Sequence, residues 1–490
     1  MIRRVLVLGG FAAVLLLLSM FSANTPDLKS APAQVGLINR SEEGSTWFCA
    51  AAGASASDPT THQILISNSS ARSFEATVTV YRSQTDASVA QSITVDPLRQ
   101  TTLSATDLAA DGAGVTVEIF GEGGSVAHRL TASSSFDEAP CATDGAKEWH
   151  FPAADTLRGR SARLWLLNPF GTDASVDVRV STADSVRVPK GLNGIVVPAR
   201  SGRMVELGEI IQRRDQFAFT AISRSGLVIA ELAESADGTA TEGSPEAIGL
   251  RLDPGRPNTQ KSWLFADGFA GEGVTDRVMV FNPGSADSVV QVSVVPAGLS
   301  QEELPEPFEL TVAGRRYGSI SLEQETRLPP GGLRWTRVDV LSGSGVVVAH
   351  IQGITKEGGN GDPTLRPIGS GGLSSSAGVS TLASRWVFPA VASGADGQAL
   401  VIIANPDPDT IAIVSVVELV DGNEVEVISK QEVAANSTLV VPRSESSDTS
   451  VSMVLTSTSP VAAEARTSSK SRDDFTVYPG FPDANTLSSL

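Results

Sequence analysis

The chain of 490 residues has few of the side chains from which most catalytic and metal sites are built. It contains two cysteines and four histidines, and no pair of them has the spacing of zinc ligands. It carries no long cluster of lysine and arginine, and its net charge is −18. Because such a cluster is needed to neutralise phosphates, we predict no nucleic-acid partner. For the same reason the acidic chain should not lie flat on an anionic lipid surface.

Sequence motifs of common active sites are also absent. There is no Gly-x-Ser-x-Gly segment leading into a helix and no glycine-rich loop between a strand and a helix to hold a phosphate. The glycine-rich segments 358–359 and 369–372 are typical of flexible linkers. We therefore predict that the protein is not an enzyme, has no catalytic residue and uses no cofactor or metal.

The first 24 residues have the pattern of an export signal. Arg3 and Arg4 precede the uncharged, mainly apolar run Val5–Phe21. Cleavage after Ala23 would place the bulky Phe21 at position −3, which favours an uncleaved signal anchor over a cleaved signal peptide. Either form puts the rest of the chain outside the cytoplasm, at the cell membrane or secreted. No later apolar stretch reaches about 18 residues, so only this helix should enter the membrane.

The two cysteines, Cys49 and Cys141, both follow the export signal. An isolated pair in an exported protein predicts a disulfide, and two free thiols are the alternative. The bond would close a loop of about 90 residues, which in the chain-entropy model stabilises the fold by about 4–5 kcal/mol.

Four segments of the chain resemble one another. Each begins with a tryptophan: Trp47, Trp149, Trp263 and Trp386. Each continues to an apolar run that ends at an asparagine: Asn68, Asn168, Asn282 and Asn405. The tryptophan and the asparagine are separated by 21, 19, 19 and 19 residues. Self-similarity at a fixed spacing indicates a repeated structural unit.

Within each copy the pattern is that of short β-strands. Segments such as Ala174–Val180 alternate apolar and polar residues, as strands with one buried face do. Each copy ends in a closing run whose shared alanine follows the tryptophan by 77 to 86 residues: Ala127, Ala230, Ala349 and Ala463. About seven strands in a copy of this length match an immunoglobulin-like β-sandwich. We predict an all-β fold, a tandem array of four such sandwiches, with a closed β-propeller as the alternative.

The predicted organisation is a signal anchor at 1–24, a linker at 25–45 and four modules. Modules 1 to 4 span residues 46–146, 147–234, 262–352 and 385–482. The intervening segments 235–261 and 353–384 are rich in Gly, Ser, Pro and Thr, which indicates linkers that partly fold back as edge strands. The sequence does not decide between an extended rod and a compact body, and our first hypothesis has the modules project from the membrane as a rod.

The repeat resembles that of an uncharacterised family of secreted actinobacterial proteins. Their units open with Trp-aromatic-x-Ala, continue through a strand ending in Asn-Pro and close on a Pro-Val-Val-Ala-Glu-like strand. The matching residues here are Trp386–Ala390, Asn405-Pro406 and Ser459–Glu464. The resemblance covers almost all of residues 45–480, although Ser69 follows Asn68 and glycines 226 and 345 replace the closing proline. It implies an exported envelope protein and assigns no catalytic residue.

Two sets of residues are candidates for sites. His128 and His350 occupy the repeat position held by Glu231 and Glu464 in the other copies. We interpret all four as solvent-facing strand residues, because separate modules share a metal site only if they close on each other. Glu231 and Glu464 would be the first pair to examine for glycoside hydrolysis, and we interpret them as surface charge. The acidic turn 405–409 lacks the spaced ligands of a calcium loop.

The tryptophans divide into core and surface candidates. The four repeat tryptophans are interpreted as core residues of the sandwiches. Trp335 has no counterpart in the other copies and follows the loop Pro329–Gly332, so it is the candidate for an exposed contact.

We carry three functional hypotheses. The first is a non-enzymatic structural or interaction scaffold of the cell envelope that contacts other envelope proteins or wall polymers. The second is a wall carbohydrate-binding protein, which requires exposed coplanar aromatic rings. The third is a hydrolase, which requires a cleft with convergent titratable groups.

Overall fold

The computed structural model describes residues 44–53, 60–83, 87–182, 185–239, 247–355, 366–369, 371–391, 397–443, 451–469, 471–472 and 474–490. The predicted signal anchor lies outside these residues. Among the residues described, no helix is long and apolar enough to cross a membrane. The four modules all belong to one compact unit, Gln34–Leu490.

The first two modules consist of short strands. Module 1 contains β1 (Ser45–Cys49), β2 (Thr61–Asn68), β3 (Phe74–Arg82), β4 (Ser88–Val95), β5 (Arg99–Ser104), the one-turn helix α1 (Ala105–Leu108), β6 (Gly112–Phe120), β7 (Gly124–Thr131) and β8 (Phe136–Pro140). Module 2 and the segment after it contain β9 (Glu148–Ala154), β10 (Arg160–Asn168), β11 (Ala174–Ser181), β12 (Val186–Arg187), β13 (Ile195–Val197), β14 (Ser201–Glu206), β15 (Phe217–Ser225), β16 (Ile229–Asp237) and β17 (Ile248–Pro254).

The last two modules repeat this plan. Module 3 and the segment after it contain β18 (Ser262–Ala270), β19 (Val274–Asn282), β20 (Ser288–Pro296), β21 (Phe308–Val312), β22 (Arg316–Ser321), β23 (Gly332–Ser342), β24 (Val347–Ile354) and β25 (Gly372–Ser376). Module 4 contains β26 (Thr381–Val391), β27 (Gly397–Asn405), β28 (Ala412–Val420), β29 (Asn423–Val433), β30 (Ser437–Pro442), β31 (Val451–Ser469), β32 (Asp474–Pro479), β33 (Phe481–Pro482) and β34 (Leu487–Ser489). Short 3-10 helices lie at Lys190–Leu192, Leu207–Glu209, Gln301–Glu303, Leu322–Gln324 and Ala484–Thr486.

Each module is built from two antiparallel sheets. One sheet holds the strand with the repeat tryptophan, in the orders β1-β6-β3-β4, β9-β15-β11-β12, β18-β23-β20-β21 and β26-β31-β28-β29. The other holds the closing run, in the orders β5-β2-β7-β8, β14-β10-β16-β17, β22-β19-β24-β25 and β30-β27-β31-β32. In module 4 the long strand β31 joins both sheets. Within the described part of the chain no barrel or propeller closes, and the all-β sandwich prediction is confirmed.

The repeat tryptophans are core residues, as predicted. All four are buried, and in modules 2 to 4 the indole Nε1 donates to a valine carbonyl beside the closing run. These pairs are Trp149 with Val228, Trp263 with Val346 and Trp386 with Val461. A buried indole N–H needs a hydrogen-bond acceptor, which explains why the same contact is found in modules 2, 3 and 4.

The repeat asparagines each hold a turn together. Asn168 Nδ2 donates to the carbonyls of Thr172 (2.9 Å) and Val197 (3.0 Å), and its Oδ1 accepts from the N–H of Phe170 (3.1 Å). Asn68, Asn282 and Asn405 make the corresponding bonds. Only an amide side chain of this length both donates twice and accepts here, which explains why asparagine ends all four strands.

The predicted disulfide between Cys49 and Cys141 is present and buried. It joins the end of β1 to the residue after β8, so it ties the opening strand of module 1 to its tail. Phe48 and Ala142 also exchange two main-chain hydrogen bonds, of 2.8 and 2.9 Å.

The four modules pack against one another in a cycle, so the rod hypothesis is wrong. One apolar core is shared by modules 1 and 2, a second by modules 3 and 4, and a third joins module 1 to module 4. In each module, the sheet that holds the closing run ends in one edge strand. These four strands lie beside each other where the modules meet: β8, β17, β25 and β32. We call these the tail strands. They bury apolar and polar groups that would face water in a rod.

Candidate functional site

The tail strands meet around a buried carboxylate, Asp474 of β32. Its oxygens accept hydrogen bonds of 3.1 Å from three main-chain N–H groups, one each in the tail strands of modules 1, 2 and 3. The donors are Phe136, Leu250 and Leu373. Burial raises the pKa of Asp474 well above its ordinary value, and the amide hydrogen bonds oppose that rise. One side chain of module 4 therefore links all the other modules.

A second buried carboxyl lies beside it. Asp137 of β8 accepts from the N–H groups of Leu252 and Glu138, and its neighbour Glu138 forms an ion pair with Arg129. Burial raises the pKa of Asp137 well above its ordinary value. The tail strands are thus joined by side-chain oxygens that accept main-chain N–H bonds of other modules.

The repeat position of His128 and Glu231 is buried, which corrects its interpretation as solvent-facing. His128 Nε2 lies 2.7 Å from Glu231 Oε1, and His128 Nδ1 lies 3.1 Å from His62 Nε2. The other oxygen of Glu231 accepts from the N–H groups of Ala50 (3.1 Å) and Ala51 (2.7 Å). Burial, then the neighbouring His128, lowers the pKa of His62 well below its ordinary value. This chain of side chains connects module 2 to module 1.

The same position connects module 4 to module 3. Glu464 accepts from the N–H of Asp267 (2.7 Å) and from the hydroxyl of Ser376. Asp267 and Ala51 both lie four residues after their repeat tryptophans, so Glu464 and Glu231 perform equivalent joining roles. Burial raises the pKa of Glu464 to about 7. The interpretation of Glu231 and Glu464 as surface charge was wrong, because both groups lie at faces that close when the modules pack.

His350 occupies this repeat position in module 3, and its side chain bonds within its own module. Its Nε2 bonds to the carboxylate of Asp276, which also accepts a hydrogen bond from Arg334 Nε. Burial would lower the pKa of His350, yet the contact with Asp276 overrides it and the pKa is raised. In the part of the chain that the structure describes, no three His, Cys, Asp or Glu side chains are gathered as metal ligands.

A cleft lies between modules 2 and 3, and we call it the seam cleft. Its cavity has a volume of about 70 Å³. Module 2 and its tail strand contribute charged groups: Asp155, Arg160, Asp215, Glu234 and Arg251. Module 3 contributes Thr275, Arg277, Met279 and Ile351, and Leu373 comes from its tail strand. The third hypothesis required a cleft with convergent titratable groups, and this one has them.

The back of the seam cleft is an ion pair between Glu234 and Arg251. Both side chains are 5% exposed. Glu234 Oε1 also accepts from the N–H of Asp155 (2.8 Å). Burial raises the pKa of Glu234 to about 7, and the attraction of Arg251 opposes the rise. Nearer the opening, Asp155 Oδ2 lies 3.6 Å from Arg160 Nε.

Trp335 is not the exposed residue that we expected. It is 4% exposed and packs in the core shared by modules 3 and 4. It lies on β23 opposite Val295. The preceding Pro-Gly loop suggested an exposed position, but module 4 covers this face. With the repeat tryptophans and Trp335 all buried, none of these rings forms a sugar-stacking surface.

Sequence reasoning missed the carboxyl groups that join the tail strands and those of the seam cleft. Asp137 and Asp474 each adjoin a phenylalanine in a short apolar tail, which is a weak signal of burial. Glu234 is the last residue of the predicted module 2, and Arg251 lies in a segment predicted as a linker. No pattern within one module reveals Asp137 and Asp474, because their main-chain donors belong to other modules, and the cleft forms only where modules 2 and 3 meet.

Comparison with known proteins gives one family. The model of a family of unknown function (DUF5719) matches residues 136–246 and 256–489, more than half of the chain. No curated protein matches.

Solved structures show only weak likeness. A Thermotoga maritima protein, 1070, is 18% identical over 23% of this chain and 94% of its own, with a TM-score of 0.20. The Streptomyces avermitilis alpha-L-rhamnosidase is 11% identical over 73% and 47%, with a TM-score of 0.12. The glycoside hydrolase family 32 protein of Bifidobacterium adolescentis is 11% identical over 86% and 99%, with a TM-score of 0.14. At these TM-scores the likenesses carry no conclusion about fold or function.

Proposed function

The chain belongs to the family of unknown function DUF5719, and we propose that it is an exported cell-envelope protein that acts without catalysis, as a compact scaffold for other envelope components. The observation that carries the proposal is that the buried polar side chains, several of them at repeat positions, bond to other modules. They join modules: Asp474, Glu231 and Glu464 each accept main-chain N–H groups of another module. Such contacts make one body of four sandwiches and leave their outer sheets to face partners.

Export is supported by the N-terminal pattern and by the disulfide. Arg3 and Arg4 followed by an apolar run are typical of an export signal. A buried disulfide between Cys49 and Cys141 fits a protein that folds in an oxidising compartment. Together they favour a location at the outer side of the membrane, with other envelope proteins or wall polymers as partners.

The hydrolase alternative centres on Glu234 in the seam cleft. A carboxyl group with a pKa of about 7 is suited to act as a general acid. However, Glu234 is almost fully buried and is held by Arg251 and by the N–H of Asp155. A substrate would have to displace these partners, and for this reason we favour the scaffold.

Two measurements test location and form. Intact-mass analysis of membrane and culture fractions from the native host should find the full-length chain, two hydrogens lighter than the reduced form, in membranes. X-ray scattering should give a radius of gyration of about 22 Å for the body, the value for a compact chain of this length. A shortened chain found free in the medium would reject the proposed membrane anchor. A much larger radius of gyration would reject the proposed compact form.

Complementation separates the scaffold from the hydrolase. A deletion strain should show increased envelope permeability to a dye, and the wild-type gene should restore the barrier. Glu234→Gln keeps the shape of the side chain but removes its acid group, so it should restore the barrier equally well. Loss of complementation by a Glu234→Gln protein that accumulates and melts normally would reject the non-enzymatic proposal. Asp111→Asn, an exposed aspartate of module 1, is the matched control.

A further inference from the structure

We propose that the seam cleft is a binding site for a single neutral sugar residue. The site is formed only when modules 2 and 3 pack together, because each supplies one wall. The proposal does not depend on the scaffold role.

The charges of the cleft favour a neutral ligand. Each of its three guanidinium groups lies near a carboxylate: Arg160 near Asp155 (3.6 Å), Arg251 paired with Glu234, and Arg277 near Glu323 (3.9 Å). An anionic ligand would have to displace a carboxylate from one of these pairs at a partly buried site, which is costly. A hydroxyl group donates to a carboxylate and accepts from a guanidinium at the same time, so it binds to an intact pair.

The polar groups near the opening are placed for several hydroxyls. Asp155 and Arg160 are partly exposed there, and Asp215 is exposed. Gln216 and Thr275 line the same cavity and are also partly exposed. Asp155, Arg160, Asp215 and Gln216 belong to module 2, and Thr275 belongs to module 3. This arrangement matches a ring that carries hydroxyls along its edge.

Part of the module 3 wall is apolar. Met279, Ile351 and Leu373 line it, and Ala153 and Ala154 lie on the module 2 side. A sugar ring presents C–H groups on its faces, which pack against such aliphatic surfaces. The N–H of Leu373 is held by Asp474, so the central carboxylate also fixes this wall of the cleft. A cleft that is apolar with a few placed polar groups is typical of small-ligand sites.

The volume of the cleft suits a small ligand such as one sugar residue. A volume of about 70 Å³ is enough for roughly five ordered waters. A single ring with its hydroxyls can replace such a group of waters, whereas a long stacked oligosaccharide has no aromatic platform here. About twelve non-hydrogen atoms at the usual ligand efficiency give a Kd of about 1–10 mM.

Saturation-transfer NMR tests the proposal on the full-length protein in a detergent without a sugar headgroup. The probes are D-glucose, D-galactose, D-mannose, D-xylose and N-acetyl-D-glucosamine, each at 20 mM. We expect transfer to at least one sugar. Asp215→Asn and Arg277→Gln should each weaken that binding about tenfold or more, as expected for the loss of a hydrogen bond to a charged group. Asp111→Asn in module 1 should leave it unchanged.

The same experiment contains the results that would overturn the site. Transfer to none of the five sugars means that the cleft is not a sugar site. Transfer that is unchanged in both cleft variants, with wild-type melting temperatures, means that the sugar binds elsewhere. Glycine and acetate are included as charged probes. If they bind and the sugars do not, the cleft recognises a charged ligand and the proposal is wrong.

Discussion

The carboxylate of Asp474 accepts a hydrogen bond from the main-chain N–H of Phe136, although 338 residues separate the two along the chain. The donor lies in the tail strand of module 1 and the acceptor in that of module 4. The contact closes the cycle of modules, since the chain itself connects only module 1 to 2, 2 to 3 and 3 to 4. Four domains linked in series have become one body through shared apolar cores and a few buried polar groups.

Replacement of Asp474 should destabilise the whole body. In Asp474→Asn one oxygen becomes an amide that donates, so N–H groups of other modules lose their acceptor while they stay buried. Unsatisfied buried donors cost about 1–3 kcal/mol each, and we expect a total loss of about 3 kcal/mol. Urea denaturation followed by tryptophan fluorescence measures it. An unchanged midpoint, equal to that of Asp111→Asn, would show that this carboxylate does not hold the modules together.

Reduction of the disulfide should weaken module 1 most. The bond spans 92 residues of sequence separation, and the chain-entropy model gives about 4–5 kcal/mol for a loop of that length. The paired replacement Cys49→Ser and Cys141→Ser should lower the thermal midpoint and expose module 1 to protease before modules 2 to 4. Mass analysis of the first cleavage products decides the order. First cuts inside module 3 or 4 would contradict the prediction.

Stability should depend on pH through Glu464. Burial raises its pKa in the folded state to about 7, whereas the unfolded value is about 4.3. The folded state therefore binds more protons between these values, and this group's contribution, about 4 kcal/mol in full, is present below pH 4 and is lost as the pH rises through 7. Glu464→Gln keeps the acceptor for the Asp267 N–H and does not titrate.

The free energy of unfolding, measured in urea at pH 5, 6, 7 and 8, checks this prediction. The difference between wild type and Glu464→Gln should move in favour of the variant by about 3 kcal/mol as the pH rises, because only the wild type must bury a charge. A difference that is constant with pH would mean that Glu464 does not titrate in this range. The lowered pKa of His62 makes this residue destabilising in acid, which opposes the effect of Glu464. Because His62 is present in both proteins, its effect cancels in the difference between their free energies of unfolding.

Loss of a repeat asparagine should cost the same in each module. Asn168→Ala leaves the buried carbonyl of Val197 and the N–H of Phe170 without their partners, for about 2–3 kcal/mol. Asn282→Ala should cost a similar amount because its contacts are equivalent. Asn423→Ala, at the exposed start of β29, is the matched control and should change stability by less than about 0.5 kcal/mol. Equal denaturation midpoints for all three variants would refute the assigned role of the repeat asparagines.

Features that depend on neighbours within one module were predictable from the sequence. The tryptophan and asparagine spacing identified the repeat, and alternation of apolar residues identified the strands. Both signals are local, because a strand buries every second residue and a turn is held by the residue that begins it. The disulfide followed from the number of cysteines and the export signal.

Residues that become buried where the modules pack were assigned wrongly. His128, Glu231, His350 and Glu464 occupy positions that a free sandwich would expose to water, and Trp335 follows a turn-forming loop. Their burial results from the surfaces that cover them, and no pattern in one copy records those surfaces. The candidate cleft was missed for the same reason, since Asp215 and Arg277 belong to different modules.

The sequence by itself thus determined the all-β class, the four copies, the core tryptophans, the turn asparagines and the disulfide. The tertiary structure decided that the copies form a compact body, which polar groups lie inside it and where a cleft opens. The physical reason is the range of the interactions: strand alternation and turns act over a few residues, whereas the burial of Asp474 depends on four tail strands brought together from across the whole chain.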